Sequence, residues 1–471
     1  MTTTNNLAYE SPIGRHPSSF RDPAGGIFIS EGRVIRGLRA NGVNQYEEVK
    51  RSGLFNELEK AGKLIRSVEV ANERIGDELF ERLLEHDKLP FISYPYEWPF
   101  PLLKRAALFH LQTQLTSIAR NVVLTDATAY NVQFRGIDPV FIDVLSFRPY
   151  QDGELWSAHK QFCEMFLNPL LLQSVLGVPY NAWYRGALEG IPTDALAKLL
   201  PFRSWLSLRS LLHVLLPARA AGGSKQKEAD AVTKVRAARL PKEAYVGLIR
   251  QLYRWIEKLE PQGVNATVWE NYSVDRTYQE QELSAKQQFI ADYAKAVKPG
   301  QLWDMGCNDG EFGEIALQHG AQSVIGFDAD LGALQKAFHR AEQRKLNFLP
   351  LYQDAANPSP NQGWLGCERQ TIQERGKPDG VFALAFEHHL ALGRNIPLCE
   401  VVRHLASIAP SGVIEFVQKS DSTVQRMLAL KGDIFPDYSQ ANFEKFLAEN
   451  ARVVRSQAIS AEGRKVYWFE R

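Results

Sequence analysis

Four cysteines in 471 residues, Cys163, Cys307, Cys367 and Cys399, are too few and too scattered for a disulfide framework or a paired zinc motif. A reducing, cytoplasmic setting is the expectation. Charge of one sign is also lacking: 55 basic against 54 acidic residues leave a net charge of +1, so nothing global points to nucleic acid or to an acidic surface. Long apolar runs are absent too. The run from Leu211 to Leu216 is short and reads as a buried helix, so no membrane partner is expected. The polar stretch Met1 to Ser11 has no apolar core and predicts no secretory signal. What is plentiful is core material, 45% hydrophobic and 11% aromatic, enough for the two or three domains that this length implies.

The most informative stretch is Leu302 to Gly313. A short apolar run behind Pro299-Gly300 turns through Gly306 and Gly310 into a periodic segment, which predicts a strand, a tight turn and a helix. Glycines there let a ligand press against bare backbone, and a helix N-terminus offers unpaired N–H groups. The dinucleotide fingerprint needs glycine two residues after Gly306, where Asn308 stands, so the spacing argues against a nicotinamide or flavin enzyme. A second run ends in Asp328, placed to accept both hydroxyls of a ribose. A third ends at Tyr352-Gln353-Asp354, and a fourth, Asp379 to Phe386, is followed by Glu387-His388-His389. Strands alternating with helices predict a doubly wound sheet with its ligand at the carboxyl ends of the strands.

Asp304 to Gly310, Asp328 and Asp354 resemble the three signatures of class I S-adenosylmethionine-dependent methyltransferases, with Asn308 in place of the middle glycine. That family closes its sheet with an antiparallel hairpin, and Val453–Ser460 with Lys465–Phe469 reads as one. The resemblance implies that S-adenosylmethionine is held by Asp304, Gly306, Asn308, Gly310, Asp328 and Asp354. It also implies that the lead-in containing Trp269 to Tyr272 covers the cofactor. Removing a proton from a hydroxyl or amine acceptor needs a base, and His388, His389 or Glu387 at the end of the fourth strand are the candidates. Adjacent residues point in different directions, so no metal is expected in this domain.

Upstream, a β-hairpin is predicted over Phe20 to Leu38, helices over residues 44–61 and 77–84, and a long helix over Leu102 to Ala119. Between the last two, the aromatic, proline-rich segment Ile92 to Pro101 reads as a rigid packed connector. The spacing Asp126 to Asn131, with Asp143 ending an apolar strand, resembles the catalytic loop and metal-binding aspartate of kinase-like phosphotransferases. That resemblance implies ATP and magnesium at Asp126, Asn131 and Asp143. Leu124 stands where the family has histidine, and no glycine loop or strand lysine precedes it.

Across its whole length the chain resembles the long nodulation-protein-like methyltransferases, through Ser18–Pro23, Ser93–Trp98, Leu124–Phe134, Phe141–Phe147, Gln161–Cys163 and His388-His389-Leu390. The expected fold class is therefore α/β: a C-terminal Rossmann-like methyltransferase sheet with an antiparallel final hairpin, plus an N-terminal α+β domain of kinase-like type. The expected domains are 1–218 for substrate recognition, 219–262 as a basic linker and connecting helix, and 263–471 for methyl transfer. The expected partner is a small-molecule methyl acceptor, with nucleic acid and protein acceptors left open. Two alternatives stand beside this: a bifunctional enzyme that also phosphorylates, and a noncatalytic pseudokinase scaffold.

Overall fold

A computed structural model of the chain describes residues 14–71, 79–203, 207–215, 239–263, 280–461 and 463–471. The basic linker around Ala220 to Lys227 and the Trp269 to Tyr272 lead-in lie outside these residues.

The N-terminal half is built on a four-stranded antiparallel sheet in the order β1-β2-β4-β3, from β1 (Gly25–Ser30), β2 (Arg33–Leu38), β3 (Ser67–Val70) and β4 (Arg82–His86). The predicted hairpin is β1–β2, turning at Glu31-Gly32 with both residues at positive φ. The helix predicted over residues 44–61 is two helices, α1 (Ala40–Arg51) and α2 (Leu54–Lys60), because Gly53 takes the left-handed conformation between them. Of the helix predicted over residues 77–84, positions 77 and 78 lie outside the described residues and 79–84 are not helical. Arg82 onward is β4, where pairing on both sides by β2 and β3 overrides the local helical pattern.

A buried 20-residue helix, α3 (Phe100–Ala119), follows the connector. Two short antiparallel ribbons come next, β5 (Val122–Leu124) with β8 (Phe147–Pro149), and β6 (Val132–Arg135) with β7 (Asp138–Phe141). Helical chain resumes at His159 and passes through a π-helical turn, Cys163–Leu167, into α4 (Asn168–Leu176). The chain stays helical through Asn168-Pro169, the wider turn preceding a proline that cannot donate an N–H. The amphipathic helix α5 (Lys242–Ile256) packs back on α3.

The C-terminal half is a seven-stranded sheet in the order β11-β10-β9-β12-β13-β15-β14, with α6 (Glu280–Val297) leading in. Strands β9 (Leu302–Met305), β10 (Val324–Asp328), β11 (Phe348–Tyr352), β12 (Gly380–Ala383) and β13 (Ser411–Val417) are parallel. The hairpin β14 (Arg452–Ala458) and β15 (Arg464–Glu470) closes the sheet antiparallel, as its sequence pattern predicts. Helices α7 (Glu311–Gln318), α8 (Leu331–Arg344) and α9 (Leu398–Ile408) connect the parallel strands, giving the Rossmann-like architecture. No helix among the described residues is long and apolar enough to cross a membrane.

One continuous apolar core runs from Leu38 to Phe469 through both halves. The proline-rich connector lies at the junction, as a packed segment. Phe91 meets Trp303 of β9 edge-on at 5.9 Å and Phe327 of β10 at 6.3 Å. Beside them Arg375 grips the Glu97 carboxylate through two nitrogens, at 2.9 and 2.5 Å, stacks 4.2 Å over Tyr94 and donates to the Ile92 carbonyl. Both charges are buried, so each depends on the other. Arg375→Met is expected to destabilise the chain by about 3–5 kcal/mol, because it strands the Glu97 carboxylate. Adding Glu97→Gln should recover much of that loss in chemical denaturation.

Candidate functional site

The parallel strands end at a cavity of about 820 Å³, within the range of small-molecule sites. Its floor is the turn after β9. Gly306 has φ +75°, and a Cβ there would lie 2.6 Å from the Phe386 ring; Gly310, at φ +80°, caps α7. Between them Asn308 has φ +49°, in the left-handed region that asparagine tolerates better than most residues. Its departure from the glycine pattern therefore preserves the turn. Arg340 clamps the far side, donating to the Asp309 carbonyl at 2.9 Å and its carboxylate at 2.7 Å.

Asp304 and Asp328 both line this cavity. Asp328 accepts the Asn308 N–H at 2.9 Å and the Asp330 N–H at 2.8 Å, while capping of α8 falls to Asp330. Asp304 is buried, and its Oδ2 has no hydrogen-bond partner. Burial, reinforced by Asp328, holds its carboxyl at about 7; burial likewise lifts Asp328 to about 6. Asp354 lines the same cavity, but it is committed to Arg394 at 3.0 Å and to the Ala356 N–H at 3.0 Å.

The three residues after β12 are placed very differently from one another. Glu387 and His388 are completely buried and do not line the cavity. Glu387 accepts the Val417 N–H at 3.0 Å and the Tyr438 hydroxyl at 2.8 Å, and His388 packs 3.4 Å from its other oxygen. Both belong to the packing beneath the site, a correction to their candidacy as bases. His389 alone faces the cavity, at the start of a π-helical turn, His389–Gly393. Burial and the neighbouring His388 push its imidazole down to about 3, so it is neutral at physiological pH.

Sequence reasoning missed Lys286. It lies on α6, wholly buried, with its ammonium donating to Glu415 of β13 at 2.6 Å and sitting 4.4 Å over the Phe312 ring, and it lines the cavity opposite Asp304. Its position three and four residues before the buried Phe289 and Ile290 is the signal that could have found it. The N-terminal half adds a wall: Gln173 and Pro179 near the end of α4, with Gln262 and Gly263 docked there through the Gln262 N–H to the Gln173 carbonyl at 3.2 Å.

Asp126, Asn131 and Asp143 are brought together, but as an internally bonded cluster. Asn131 donates to Asp126 at 3.4 Å and to the Ser146 hydroxyl at 3.0 Å; Ser146 in turn donates to Asp143 at 2.7 Å. The Arg36 guanidinium sits 3.0 Å from Asp143 and 3.2 Å from Asp22. A protein cation thus occupies the place opposite Asp143. The magnesium–ATP reading of this cluster, and with it the phosphotransferase and pseudokinase alternatives, gains no support from the structure.

No family profile matches the chain. It is 45% identical over 460 residues, 97% of this chain and 96% of the relative, to the nodulation protein NoeA of Rhizobium meliloti (strain 1021). The chain belongs to the NoeA family. Among solved structures, magnesium protoporphyrin IX methyltransferase (ChlM) from Synechocystis PCC 6803 with bound SAH is 20% identical and covers 47% of this chain and 94% of its own, at a TM-score of 0.31. A protein from Pyrococcus horikoshii OT3 is 17% identical and covers 43% and 98%, at a TM-score of 0.30. At such scores neither likeness bears on function, and the NoeA name specifies no reaction.

Asp304 gives the site a pH signature. Its folded value near 7 lies above the unfolded value near 4, so the stability it contributes is complete below pH ~4 and is lost as pH rises to 7. Asp304→Asn should abolish that loss. The variant is expected to be up to about 4 kcal/mol more stable than wild type at pH 8, with a flatter stability profile between pH 4 and 7 in denaturant titrations.

Proposed function

We propose that this NoeA-family protein is an S-adenosylmethionine-dependent methyltransferase. The observation that carries the reading is the buried, unpartnered Oδ2 of Asp304, a residue that lines a cavity whose floor is a glycine-bearing strand–turn–helix and whose second strand ends in Asp328. An unsatisfied buried carboxylate oxygen costs stability and marks where a ligand's donor belongs.

The residues present fit the cofactor. Asp304 and Lys286, opposite in charge and both lining the cavity, suit the ammonium and carboxylate of a methionine group. Gly306, Asn308 and Gly310 allow close backbone approach. Asp328 suits a ribose, and the stretch at Asp354 suits an adenine edge. When bound, S-adenosylmethionine supplies a methyl group on a sulfonium for in-line displacement. The chain then has to align an acceptor, exclude water, and take a proton if the acceptor is a hydroxyl or amine. His389 is the residue proposed to accept it, because it is the candidate of the three that lines the cavity. We assign methyl transfer to 263–471, a linking role to 219–262, and acceptor recognition to 1–218 through the wall at Gln173 and Pro179. The acceptor is proposed to be a small molecule, modified in the cytoplasm.

Calorimetric titration of S-adenosylmethionine into the folded chain tests this. Wild type should bind with one site; Asp328→Ala should lose at least about 10- to 100-fold in affinity, the worth of a hydrogen bond to a charged group, whereas His389→Gln should stay within a few fold. Absence of binding to wild type would reject the assignment. The pH dependence has a definite sign: binding that needs ionised Asp304 strengthens as pH rises and levels off above about 7. Below that it should weaken by up to about tenfold per pH unit.

A further inference from the structure

Outside the lining of this cavity, among the described residues of the N-terminal half, three metal-ligating side chains converge. His159 Nε2 lies 2.9 Å from His213 Nδ1 and 3.6 Å from Cys163 Sγ, and all three donor atoms fall within 4.8 Å of one another. His159 and Cys163 are four residues apart, on one face of the helical stretch that leads into α4. His213 comes from a separate π-helical turn, Leu211–Leu215. Two of the three donors thus sit on π-helical turns, local widenings of the helix that concentrate at functional sites.

The cluster is shut away from solvent. Cys163 and His213 are about 1% exposed, and the second ring nitrogen of His213, Nε2, is buried without a partner. Trp156 packs edge-on against His159 at 5.8 Å, and Trp255 lies 6.1 Å from His213, so the surroundings are dry and apolar. Tetrahedral zinc, with Zn–N of about 2.0–2.1 Å and Zn–S of about 2.3 Å, separates its nitrogen and sulfur ligands by roughly 3.6 Å and its two nitrogens by roughly 3.4 Å. The first separation matches as it stands, and the second needs the imidazoles to part by about half an ångström.

We propose that His159, Cys163 and His213 bind one divalent ion of the zinc class, pinning the Leu211–Leu215 turn to the helix whose far end, at Gln173, walls the cavity. Two imidazoles and a thiol favour zinc or cobalt over magnesium, calcium or manganese. On binding, the Cys163 S–H proton is released to solvent and the thiolate forms the metal–sulfur bond; no electron is transferred.

The test is independent of methyl transfer. The full-length chain, stripped with a chelator and shown to be folded, is titrated with cobalt(II) and then zinc(II). One equivalent of cobalt should give the visible bands of a four-coordinate ion together with a thiolate-to-cobalt charge-transfer band, and zinc should displace it. Cys163→Ser should lose the charge-transfer band and at least about tenfold in affinity, with His213→Gln losing affinity alike. Cys399→Ser should behave as wild type. If Cys163→Ser does not fold, elemental analysis of wild type against His213→Gln decides: one zinc per chain that falls in the variant supports the site. A folded wild type that takes up no cobalt, or a charge-transfer band that survives Cys163→Ser, overturns it.

Discussion

The buried ion pair between Lys286 and Glu415 is the constraint on which the cavity depends. An ammonium can be kept out of water only when a carboxylate meets it closely, and Glu415 does so at 2.6 Å from the far side of the site. The same carboxylate lies 3.9 Å from Arg464, which is bonded at 2.7 Å to Asp421, so two buried cations and two buried anions balance one another. Lys286 is held by Glu415, and Asp304, lining the same cavity, keeps one buried oxygen without a hydrogen-bond partner. Burial then holds the carboxyls of Asp304 and Asp328 at raised values where the strands end.

Local signals carried much of this. The alternation of strands and helices, the closing hairpin and the turn from Asp304 to Gly310 each depend on residues close together in sequence, which periodicity and glycine placement can read. Asn308 is legible afterwards for the same reason, since its conformation is decided by its own backbone. The distant partners were not legible. Arg394 claims Asp354 from 40 residues downstream, and Arg36 reaches Asp143 across more than a hundred. A local motif cannot report that its carboxylate is already matched. The fate of Glu387 and His388 turned on direction: the chain after β12 curls inward, so three consecutive residues divide between the packing and the cavity.

The two halves meet through aromatic and ionic contacts of a kind usually found inside one domain. Phe91, Trp303 and Phe327 form one edge-to-face cluster, and Arg375 reaches from the Rossmann-like half to Glu97 in the connector. The aromatic, proline-rich composition marks a packed connector, but its partners Trp303 and Arg375 lie far along the chain, where no local pattern can name them.

The wall that Gln173, Pro179, Gln262 and Gly263 contribute has an evolutionary consequence. A catalytic module that closes on itself can be shuffled between genes with its specificity intact. Here the cavity is finished by a different stretch of the chain, and the join is sealed by a shared core. Neither half can be exchanged without rebuilding the other, so change in ligand preference should proceed by point substitution along the wall, and the two halves should be inherited together.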